Sequence, residues 1–142
     1  MRWLLLDEVT VIEKKVRAKT RSRVPQSDVS PELLMMEMMA QTGALLLGAE
    51  NDFQSDLVFA KIQEAVFDGG FRAGEGLEIE ATSENLRPEG AWLEGAIRSA
   101  GGRQARGSFL LMNVGKLVAE RTQSITFHEA FMNHFQIRDK VR

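Results

Sequence analysis

Glu37 stands between Met35-Met36 and Met38-Met39, and the residues one helical turn away are Leu33, Leu34, Ala40 and Gln41, of which only Gln41 is polar. A lone carboxylate in such company must find partners or keep its proton, so its pKa is expected to rise toward neutrality. A carboxyl that titrates near neutral pH is able to give or take a proton in a reaction. The same group can equally be structural, held by Gln41 or by the backbone of a neighbouring chain. Glu32, five residues earlier, is explained without chemistry, because it faces the positive end of a helix.

A second set of ionisable residues is patterned differently. Lys15, Arg17, Lys19, Arg21 and Arg23 alternate with Val16, Ala18, Thr20, Ser22 and Val24. Side chains on a strand point to opposite faces in turn, so the five cations share one face: a solvated sheet surface, or a landing strip for an acidic partner. The two histidines, His128 and His134, lack the spacing of a helical zinc-protease motif and cannot fill a zinc shell alone. Without cysteine there is no disulfide, thiolate ligand or thiol nucleophile, which fits a cytoplasmic protein. Neither a metal nor a cofactor is expected. A net charge of -2, with few aromatics among the cations, gives no reason to expect nucleic acid as a partner.

These groups must be positioned by a small number of elements. With 142 residues the chain is expected to be one domain, and Met1 to Glu8 holds only a short apolar run, so neither an export signal nor a membrane span is expected. Glu8 to Val24 reads as two strands around a turn near Glu13-Lys14. Ser30-Pro31-Glu32 marks a helix start, with serine as cap and proline at the first helical position. The helix runs to about Gly48 and is apolar or small almost all round, so it is expected to be buried with no face left for water. Strands follow at Leu57 to Phe67, Gly76 to Glu84, Ala91 to Ala100 and Arg103 to Val114, with a tight hairpin at Gly101-Gly102. One long buried helix with about six strands implies an α+β fold, a curved antiparallel sheet wrapped around the helix. From Gly115 onward, a capping box at Thr126 and Glu129 with Phe127, Phe131 and Phe135 on one face predicts a short amphipathic C-terminal helix.

Pro31-Glu32-Leu33-Leu34-Met35-Met36-Glu37-Met38-Met39-Ala40-Gln41, with Pro25 before it, resembles the helix of the bacterial 3-hydroxyacyl-ACP dehydratases, hotdog-fold enzymes of the FabZ and FabA type. Phe59 to Phe67, Gly74 and Leu77-Glu78-Ile79-Glu80 resemble the next two strands of that family at matching spacing, so the likeness spans roughly residues 3 to 113. It implies a hotdog core over 1–114 with a C-terminal extension over 115–142. It also implies a dimer that buries the helix and forms an acyl tunnel, Glu37 as the catalytic carboxyl, and Arg23, Gln41 and Pro31 as substrate-binding positions. In the family a histidine of the proline turn removes the proton alpha to the thioester while the helix carboxyl protonates the departing hydroxyl. The position of that histidine is Arg23 here, the turn glycine is Gln26 and the helix-start glycine is Glu32. Arginine is no base near neutral pH, so the two-group mechanism is incomplete.

Three functions follow from the resemblance. The chain is a dehydratase (hydro-lyase) acting on an acyl thioester of acyl carrier protein or coenzyme A in fatty-acid or polyketide-type metabolism. Alternatively it is a thioesterase, which needs one carboxylate and oxyanion donors. Or it is a non-catalytic subunit that binds acyl chains or completes a hetero-oligomer. Arg23 is expected either to bind the phosphate of the carrier or to pair with Glu37 and lower its pKa.

Overall fold

The computed structural model describes residues 4–115 and 126–142. Two strands, β1 (Glu8–Glu13) and β2 (Arg17–Arg23), precede the long helix α1 (Pro31–Gly48) and a turn of 3-10 helix at Ala49–Asn51. Four strands follow, β3 (Leu57–Phe67), β4 (Gly76–Thr82), β5 (Gly90–Ser99) and β6 (Gln104–Asn113). All pairings are antiparallel, in the order β1-β2-β4-β5-β6-β3, so β1 and β3 are the two edges. The sheet packs around one face of α1, the hotdog arrangement that the resemblance implies. No helix among the described residues is long and apolar enough to cross a membrane.

Parity along the strands decides what meets the helix. Ala18, Thr20, Ser22 and Val24 are buried on the inner face, as are Leu93, Gly95 and Ile97 of β5 and Ala105, Gly107 and Phe109 of β6. The helix comes so close that two inner positions are glycine, where a Cβ would press on its methionines. A Cβ on Gly95 would stand 2.7 Å from Met39 Sδ, and one on Gly107 would stand 3.1 Å from Met36 Sδ. Thr20 and Thr42 join hydroxyls at 2.7 Å, and Thr42 also donates to the Met38 carbonyl, so this polar pair between β2 and α1 is satisfied.

Three expectations need correction. The helix does have a face for water: Leu33 is 64% exposed, and Glu37, Gln41 and Ala44 are only half-buried on the same flank. Pattern alone overstated the burial because β4, β5 and β6 cover the helix while β3 barely reaches it. Ser30 does not cap α1 through its side chain; its hydroxyl donates to the Glu32 carboxylate at 2.6 Å, and the two groups satisfy each other instead. Nor do Thr126 and Glu129 form a capping box. Thr126 Oγ1 accepts from the Leu57 amide at 3.1 Å, and the helix α2 (Glu129–His134) is capped by His128, whose Nδ1 accepts from Phe131.

The C-terminal residues do lie on the body as a helix, interrupted at Gln136 (φ 51°) before the short helix α3 (Ile137–Lys140). Phe127 and Phe135 are buried, with Phe131 between them, and Phe127 meets Phe53 edge-on at 5.1 Å beyond the end of α1. Val141 then bridges Ile12 in parallel along the outer edge of β1, through Arg142 N to Ile12 O (2.8 Å) and Lys14 N to Arg142 O (2.9 Å).

Candidate active site

Helix α1 presents Glu37 on the flank that the sheet leaves uncovered, four residues from Leu33 and from Gln41. Gln41 is fixed from both ends. Its Oε1 accepts from the Leu5 amide at 3.1 Å, so its amide nitrogen is the end that faces Glu37, donating to Oε1 at 3.3 Å. Burial against the methionine-rich helix pushes the Glu37 pKa up, and the Gln41 hydrogen bond pulls it back; burial is the larger effect. The group is therefore a carboxyl with a raised pKa that solvent or a ligand can still reach.

Apolar side chains of β3 are also left partly uncovered on the face that holds Phe109. Phe59 stacks on the buried Phe109 at 5.5 Å yet is 37% exposed, and Ile62, directly opposite Phe109 in the pairing, is 48% exposed. Phe59 and Ile62 on β3, like Leu33 on the helix, are apolar side chains that the chain itself leaves exposed. Pro31 is the first residue of α1, about 9 Å from Glu37 along the axis, where it starts the helix without a wasted N–H.

Arg23 is elsewhere. It is the last residue of β2, opposite Gly76, and shares its parity with Arg21, whereas Ser22 and Val24 face the helix. Its guanidinium thus points to the outer face, and among the described residues it pairs with no carboxylate within 4.0 Å, so the expected Arg23–Glu37 pair does not form within one chain. Of the rest of the expected cationic stripe, Lys15 lies in the β1–β2 turn (φ 65°) and not on the strand face, and the other three are interleaved with acids. Arg17 meets Glu13 at 3.2 Å, Lys19 meets Glu80 at 3.3 Å, and Arg21 lies 3.6 Å from Glu8 and 4.0 Å from Glu78. Two outer-face clefts of about 590 and 720 Å³ share Arg21, Glu78 and Arg98, and Glu37 lines neither. His128 and His134 cluster with the phenylalanines beyond Gly48, about 16 Å along the helix from Glu37, so neither replaces the missing base within the chain.

Sequence reasoning missed a second carboxylate, Glu75, in the loop before β4. Its Oε1 accepts from the Gly101 amide (3.0 Å) and from Arg103 Nη1 (3.3 Å), and its Oε2 accepts from the Arg72 amide (3.1 Å). With the Ser99 hydroxyl as the largest contributor, these donors hold its pKa down to about 2. The two glycine turns marked the loops, but nothing local in the sequence showed that a carboxylate would join them.

No family model matches the chain. Among solved structures it is similar to a hypothetical thioesterase from Streptococcus pneumoniae TIGR4 (TM-score 0.62, 13% identity, 77% of this chain and 91% of the other). It is also similar to the dehydratase heterocomplex ApeI:P from Xenorhabdus doucetiae (TM-score 0.60, 18% identity, 80% and 85%), and at such identities these likenesses establish the fold. Among curated proteins it is 33% identical to the 3-hydroxyacyl-[acyl-carrier-protein] dehydratase FabZ of Ligilactobacillus salivarius, over 64% of this chain and 65% of that one. It is 34% identical to the FabZ of Polaromonas sp., over 59% of this chain and 68% of that one. With its fold, its helix carboxyl and this identity over two thirds of a relative's length, the chain belongs to the 3-hydroxyacyl-[acyl-carrier-protein] dehydratase family.

Proposed function

We propose that this protein acts on or binds acyl thioesters of acyl carrier protein or coenzyme A, as a dehydratase-related member of fatty-acid or polyketide-type metabolism, with Glu37 as its acid-base residue. The observation that carries this is a reachable carboxyl of raised pKa on a helix face that also exposes Leu33, in a chain that leaves an apolar strip of Phe59 and Ile62 bare on β3. Such a strip suits an acyl chain and such a group suits proton transfer. The functional unit is a homodimer in which a second copy covers the open edge of β3 and closes a tunnel over Glu37. Gln41 orients the carboxyl, Pro31 sets the helix start at the tunnel, and Arg23 holds the phosphate of the carrier from the outer face. Residues 1–114 form the hotdog core and 115–142 its extension, and the lack of cysteine supports a cytoplasmic location.

In dehydration, Glu37 in its protonated form delivers a proton to the departing 3-hydroxyl, water leaves, and the electron pair of the alpha C–H bond forms the enoyl double bond. A base must take the alpha proton, and Arg23 cannot. Its outward orientation favours a second function, hydrolysis, in which ionised Glu37 takes a proton from water as the oxygen attacks the thioester carbonyl and the thiol leaves. A third possibility, suggested by the likeness to a dehydratase heterocomplex, is a different hotdog subunit that supplies the histidine.

Purified protein assayed on 3-hydroxyacyl and saturated acyl thioesters, with enoyl formation and free thiol followed separately, distinguishes the three. Enoyl product means dehydration with a replaced base, and thiol alone means a thioesterase. Neither product from wild type, with dehydration appearing in Arg23→His, means a binding or partner subunit. Undiminished turnover by Glu37→Ala would end the catalytic role of the helix carboxyl.

A further inference from the structure

Two loops meet at the Glu75 carboxylate, its own between β3 and β4 and the β5–β6 hairpin, and neither belongs to the acid-base chemistry. Arg72 lies before it, Ser99 and Gly101 come from the β5–β6 hairpin, and Arg103 follows that hairpin while its Nε also donates to the Gly69 carbonyl at 3.2 Å. The side chain is only 10% exposed, and each oxygen accepts at least one donor. The backbone of the same loop grips one residue of the turn that leads into α1. Val24 donates to the Glu75 carbonyl at 2.9 Å, and Gly74 donates to the Val24 carbonyl at 2.7 Å. Val24 is buried and stands between Arg23 and Pro25, the first two anchors of the segment that ends in Glu37.

We propose that Glu75 is a positioning residue for the site: through Ser99 and Arg103 it fixes the 72–76 loop, the loop fixes Val24, and Val24 sets where Arg23 and the β2–α1 turn stand. The assignment of Arg23 to substrate binding rests on the proposed function; the mechanical link to Val24 does not. A charged acceptor suits the task because charge-assisted hydrogen bonds are shorter and stronger than neutral ones, and a carboxylate takes all these donors at once. Glutamine at this position has one acceptor oxygen, and its amide nitrogen would face a donor.

The test is amide hydrogen exchange by NMR on the full chain, comparing wild type with Glu75→Gln, Arg103→Met and the milder Ser99→Ala. Exchange at Val24 and Gly74 is expected to quicken by about tenfold or more in the first two and by less in the third, with the β5 and β6 amides unchanged. Unchanged exchange at both reporters in all three variants overturns the proposal, and so does a uniform acceleration across the sheet, which would mean general support of the fold. On a thioester that the protein turns over, Glu75→Gln should raise KM while kcat holds, and it should add nothing to Arg23→Met, because both act through one residue. If no thioester is turned over, the catalytic readings of the proposed function fail and the exchange measurement still decides the mechanical link.

Discussion

Glu37 and Glu75 carry the same carboxyl group and neither stands free in solvent, yet their surroundings move them in opposite directions. Backbone amides, a hydroxyl and a guanidinium surround the Glu75 carboxylate, and its pKa falls to about 2. Glu37 is half-buried, the Gln41 amide is the hydrogen bond that opposes its desolvation, and its pKa rises. The difference teaches that a ready supply of donors keeps one carboxylate ionised, while desolvation opposed by the Gln41 amide leaves the other able to exchange a proton.

The largest effect expected from breaking the contrast is at Glu37. Glu37→Gln keeps the shape and the Gln41 neighbour but loses the transferable proton, so turnover should fall by about 10² to 10⁴, measured as thioester consumption. A residual rate above one tenth would make Glu37 a second structural carboxyl. Next in size are the opposed pH dependences of stability. Glu37 is raised, so the folded state binds its proton more tightly; its contribution is complete below about 4.5 and is lost as pH rises through the folded value. Glu37→Gln should therefore have a higher Tm than wild type at neutral pH and little advantage near pH 4. Glu75 is lowered, so its contribution is complete above about 4.5 and is lost as pH falls toward 2. Glu75→Gln should have a lower Tm at neutral pH, with the gap closing over that acid range. Parallel curves for the two variants would erase the distinction. The smallest effect is at Gln41. Gln41→Met removes the donor that opposes burial, so the Glu37 pKa, followed by carboxyl NMR, should move further up.

Much of this was legible in the sequence. The helix runs from Pro31 to Gly48 as the proline and glycine signals indicate, and all six strands fall where alternation and glycine turns place them. The Glu37 pKa rises in the direction that its methionine neighbours imply. Parity even held the answer for Arg23: Val24 faces the helix, so its neighbour faces away, but that inference needs to know which strand face the helix covers. What local pattern could not supply was long-range competition. Thr126 looks like a cap for residues beside it, yet its hydroxyl is taken by Leu57, 69 residues away. The bare flank of α1 was hidden for a similar reason, because apolar residues signal burial without saying whether the chain itself provides the cover.

Val141 on the rim of β1 bears on the growth of the sheet. A sheet with two free rims is bivalent and, like any bivalent monomer, can add copies without limit. Val141 and Arg142 take up the rim of β1 at Ile12 and Lys14, whereas among the described residues no strand lies along the outer edge of β3. The Ile12 end of β1 is thereby guarded against a passing strand, a protection that no strand gives the outer edge of β3 among the described residues.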